Sequence, residues 1–100
     1  MIGGKIIDFY QVSPVEDHSK VIRFLVQGTG CEANDFCCVR AEVPNSALRC
    51  LEAGQDIWWH NPFVYITIFE TEDVKFKKVG FSGGGRDSFY ARKPHVETLT

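Results

Sequence analysis

The chain has 100 residues, 44% of them hydrophobic and 24% charged, a composition that describes one globular domain and excludes a disordered segment. Its formal net charge of −2 lacks the basic surplus with which nucleic-acid binders usually neutralise phosphates. No apolar run approaches the ~20 residues of a membrane-spanning helix.

The N-terminal MIGGKIIDFY has one Lys and no apolar leader, so it does not read as a secretory signal. Together with the initiator Met, this predicts a cytoplasmic protein whose four cysteines stay reduced.

In chain order, Lys5–Gln11 alternates as a strand, with Ile7 and Phe9 on one face and Ile6, Asp8 and Tyr10 on the other. Val12–Ser19 is polar and contains Pro14, which reads as a turn. Lys20–Gln27 is a second strand, carrying Ile22, Phe24 and Val26 on one side. Val21 and Leu25 lie on its other side with Arg23 between them. That strand is apolar on both faces, as a central strand would be. Gly28–Asp35 is a loop, and Phe36–Val43 alternates again, with Cys37, Val39, Ala41 and Val43 inward.

Pro44–Ala53 is the one helical segment, expected over about 45–53. Asn45 or Ser46 can cap it, Ala47, Leu48, Cys50 and Leu51 make a one-sided stripe, and Gly54 sits where a terminating glycine belongs. Asp56–Phe69, DIWWHNPFVYITIF, is a β-hairpin broken at Asn61-Pro62. Val74–Phe81 is the last strand and carries Lys75, Lys77 and Lys78. Ser82–Arg86, SGGGR, breaks the pattern, because three consecutive glycines lose too much backbone entropy to sit inside an element.

The order β-β-β-α-β-β-β predicts a mainly β (α+β) domain over residues 1–81. Its form is a small bent antiparallel sheet, or a partly open β-barrel, of about five to six strands with one short helix. Residues 82–100 then form a Gly-rich linker and a tail that is either flexible or docks through Phe89 and Tyr90.

The chemistry-bearing residues assemble no reaction centre. Cys31, Cys37, Cys38 and Cys50 lack the close pairs of a zinc site. Adjacent Cys37 and Cys38 face opposite ways in a strand, so they do not share a metal. Cys37 and Cys50 read as small core residues, and Cys38, on the more polar face, is the best placed to react. His18, His60 and His95 fall in turns or in the tail. SGGGR lacks the helix and the Gly-Lys-Ser/Thr ending of a phosphate loop. The carboxylates Glu16, Asp17, Glu70, Glu72 and Asp73 sit in polar turns. No nucleophile has an evident base and orienter, so the sequence favours a non-enzymatic module with no metal and no cofactor.

The aromatic hairpin is the candidate binding surface. Its first strand sends Trp58 and Trp59 to opposite faces. Its second puts Tyr65, Thr67 and Phe69 on one face and Val64, Ile66 and Ile68 on the other, with the isoleucines as core. One tryptophan, with Tyr65, Phe69 and the nearby Lys75 and Lys77, then faces outward. The first expectation is an interaction module that self-associates, as a dimer, through this surface. The alternatives are a single-stranded nucleic-acid binder that stacks bases on the aromatics, and a small-molecule site in the barrel mouth.

Overall fold

A computed structural model describes residues 2–16, 18–32, 36–59, 65–68, 75–82 and 86–92. The strands are β1 (Ile2–Glu16), β2 (Ser19–Glu32), β3 (Phe36–Pro44), β4 (Asp56–Trp59), β5 (Tyr65–Ile68) and β6 (Lys75–Ser82). The helices are α1 (Asn45–Leu48), between β3 and β4, and α2 (Arg86–Arg92), after β6. The mainly β architecture, a small bent antiparallel sheet with a short helix, is the one its alternating segments imply.

The sheet bends far enough to meet itself. All strand pairs are antiparallel and run in the cyclic order β1-β2-β3-β6-β5-β4, with β4 returning to β1 through Ile2↔Trp59 to Lys5↔Asp56. Two local devices permit this curvature. One is a set of register shifts in the β1–β2 pair, the first between Ile6 and Asp8; each adds a residue on one strand and sharpens its twist. The other is Gly4 facing Gly28 across the same pair. A Cβ at Gly4 would lie 2.7 Å from the carbonyl carbon of Gln27 and 2.8 Å from Gly28 Cα, so only glycine lets the two backbones come this close.

The extra residue at Ile7 corrects the expected faces of β1. Strict alternation grouped Ile6 with Tyr10 and Ile7 with Phe9. Beyond the bulge the phase reverses. Ile6 and Phe9 now pack with the barrel interior, while Ile7 and Tyr10 pack on the outside. A one-residue slip moves every later side chain to the opposite face.

The interior is filled by Ile6, Ile22, Phe24, Val26, Cys37, Val39, Ala41, Val43, Leu51, Ile57, Trp59, Ile68 and Phe76. A ring of six strands encloses less space than the eight-stranded barrels whose side chains just fill the middle.

α1 and the turn after it close against this core. The helix is shorter than the stretch 45–53. Past Leu48 the chain tightens into i→i+3 turns, with the Cys50 N–H donating to the Ala47 carbonyl at 3.1 Å and the Leu51 N–H to the Leu48 carbonyl at 3.2 Å. The tighter winding breaks the α-helical stripe: Leu51 is buried and Cys50 is exposed, so Cys50 is not a core residue. Pro44 occupies the N-cap position and no side chain caps the helix; instead the Asn45 N–H donates to the His18 carbonyl at 2.8 Å. Gln55 braces the turn from within, accepting from the Glu52 N–H at 2.8 Å and donating to the Cys50 carbonyl at 2.6 Å. Gly54, at φ 94°, sends its N–H to the Ile6 carbonyl at 2.6 Å and ties the turn to β1.

The described part of residues 82–100 carries an element of its own. Ser82 still belongs to β6, and Arg86–Arg92 is helical. Phe89 docks fully buried, whereas Tyr90 remains 46% exposed. A helix of seven residues is too short to persist in water by itself, so α2 exists because Phe89 has somewhere to go.

Candidate interaction surface

On the outer wall of the barrel, α2 covers one apolar area, and a second group of positions centres on the partly buried Trp58. The covered area lies on β1, β2 and β3. There Tyr10, Leu25, Cys38 and Phe89 form a second buried cluster, with Ile7 and Phe36 packed against it. The Phe89 ring meets Tyr10 at 4.9 Å between centroids.

Beneath it Arg23 is 6% exposed. Its guanidinium donates to the Tyr10 hydroxyl at 2.7 Å and sits 5.8 Å from the Tyr10 ring centre and 5.4 Å from that of Phe89. Among the described residues no carboxylate pairs with it; the aromatic faces and the Tyr10 oxygen stand in for a counter-ion. Burial pulls the Arg23 pKa down. The hydrogen bonds to Tyr10 and Cys38, with the charges those groups can carry, more than offset this and raise it above its ordinary value. Arg23 is therefore a permanent cation.

The same cluster takes up Cys38, which is 1% exposed. The sequence placed it on the more polar face. That is the correct side of the strand, but the face is roofed by α2, so its thiol is not an accessible nucleophile. Leu25 and Arg23 on the second face of β2 already signalled that something covers them; the missing link was that Phe89, beyond a glycine run, is the cover.

The other group of positions centres on Trp58. Trp59 and Trp58 are consecutive in β4 and divide as alternation requires. Trp59 is 1% exposed in the core, paired across the ladders with Ile66, which is paired in turn with Phe76. Trp58 lies on the outer face and is partly buried. In register it has Gly3 on one side and Thr67 on the other, and Thr67 faces Lys75. A Cβ at Gly3 would stand 2.7 Å from Trp58 Cβ, so the absent side chain leaves room beside the indole. Tyr65, two residues from Thr67, faces Lys77, which faces Glu42 of β3. The hairpin thus brings the positions of Trp58, Tyr65, Lys75 and Lys77 to one face. Phe69 lies outside the described residues, as do His60 and His95.

Charge on this face alternates in sign. Lys5 binds Asp56 at 2.8 Å, both well exposed, and register sets Lys77 opposite Glu42. Glu42 also accepts from the Ser19 hydroxyl at 3.1 Å. Exposed pairs of this kind add little stability, but they leave the face without a uniform field.

These features define a small all-antiparallel β-barrel with a filled interior, one helix-covered outer area and a partly buried Trp58 on its outer wall. No protein family, curated protein or solved structure matches the chain. Among the described residues no group of three or more His, Cys, Asp or Glu could hold a metal ion, and no helix is long and apolar enough to cross a membrane.

Proposed function

We propose that the protein is a non-enzymatic interaction module that self-associates as a dimer through the outer face of β4, β5 and β6, with Trp58 at its centre. The observation that carries this reading is the placement of Trp58 on the outer wall of a barrel whose strands are all paired round the ring. A closed ring offers no free edge for strand addition. A partner must therefore be recognised by side chains on a face, and large aromatics are the residues that anchor such contacts. The alternating charges around Trp58 suit a second copy of the same face, since two like-charged faces would repel. A standard interface takes ~800 Å² from each partner, a modest share of the 5959 Å² that the chain exposes. The reading carries a cytoplasmic setting with it, supported by Cys37, Cys38 and Cys50 standing outside any disulfide.

Sedimentation equilibrium at micromolar concentration tests the proposal. Wild type sediments as a dimer and Trp58→Ala as a folded monomer. A wild type that stays monomeric through the micromolar range ends it.

A second reading, single-stranded nucleic-acid binding, has one observation in its favour: Lys75 and Lys77 occupy register positions beside Thr67 and Tyr65. Glu42 opposite Lys77 and the pairing of Lys5 with Asp56 count against it. A mobility shift of labelled single strands at low salt separates the two readings. A small-molecule site in the barrel mouth has less support, because the interior behind it is taken up by side chains.

A further inference from the structure

We draw no further inference here: the strongest candidate, the buried side-chain cluster of Tyr10, Arg23 and Cys38 beneath α2 on the outer wall of β1, β2 and β3, rests on a single cysteine beside an arginine that already donates to Tyr10, with no second observation among the described residues that points to a ligand.

Discussion

Trp59 and Trp58 are joined by one peptide bond, yet they belong to regions built in different ways. Trp59 faces an interior that is apolar throughout and sealed by a ring of strand pairs. Trp58 faces an outer wall that also carries Lys5, Asp56 and Glu42. The α2 cluster stands between these extremes. It is buried like the interior, yet it contains a charged Arg23 and depends on a helix that makes none of the ladders. The inside needs every strand at once, so its stability is cooperative. The outside carries a separable part, since α2 belongs to none of the strand pairings.

The largest expected effect is on the inside. Trp59→Ala leaves a void among Ile57, Ile68 and Phe76 and should destabilise the whole barrel by about 3–5 kcal/mol, read as a lower denaturant midpoint with an unchanged slope. A loss below about 1 kcal/mol would mean that the interior repacks and is not the cooperative unit described.

Next comes Phe89→Ala. The same class of substitution should cost less here, about 1–3 kcal/mol, because the loss is capped by the free energy of docking α2. Hydrogen exchange should rise in 86–92 while β2 and β3 stay protected. Loss of protection in β2 together with α2 would show that the two clusters form one unit.

Arg23 sharpens the contrast further. Its raised pKa means that any stability it contributes is present below the unfolded-state value and is lost only as pH climbs through the still higher folded value. Arg23 should therefore impose no pH dependence across the neutral and acidic range. Arg23→Met, of similar length and without charge, should change stability by no more than about 1–2 kcal/mol in either direction. Arg23→Ala leaves Tyr10 and Phe89 unsupported and should cost about 2–3 kcal/mol. Chemical denaturation at two pH values measures all three.

The succession of elements along the chain and the start of α1 were legible because each is written in short-range patterns, above all the alternation in 20–27 and 36–43; Val12–Ser19 and Gly28–Asp35, read as a turn and a loop, instead begin inside β1 and β2. The division of the tryptophans was legible for the same reason. Three things were not. The phase of β1 depends on a bulge at Ile7, and an extra residue in a ladder leaves no mark in composition. The fate of Cys50 depends on whether a helix tightens after Leu48, a choice set by the turn that Gln55 braces against β1. Docking of the tail through Phe89 stood as one of two alternatives, but its receptor was not legible, because it is spread over Tyr10, Leu25 and Cys38 on three strands. The candidate surface was legible as positions, since Trp58, Tyr65, Lys75 and Lys77 share a face. Its charge balance was not, because Glu42 comes from a distant strand and meets Lys77 only through the β3–β6 pairing.

The most direct test of the central claim, that the outer face bearing Trp58 recognises its own copy, is fluorine NMR on chain labelled with 5-fluorotryptophan. The two indoles give two resonances, assigned by Trp58→Ala. The account predicts that the Trp58 resonance shifts as the protein is diluted from millimolar to low micromolar concentration, while the Trp59 resonance holds still. A Trp58 resonance that does not move, or a Trp59 resonance that moves with it, would contradict the account.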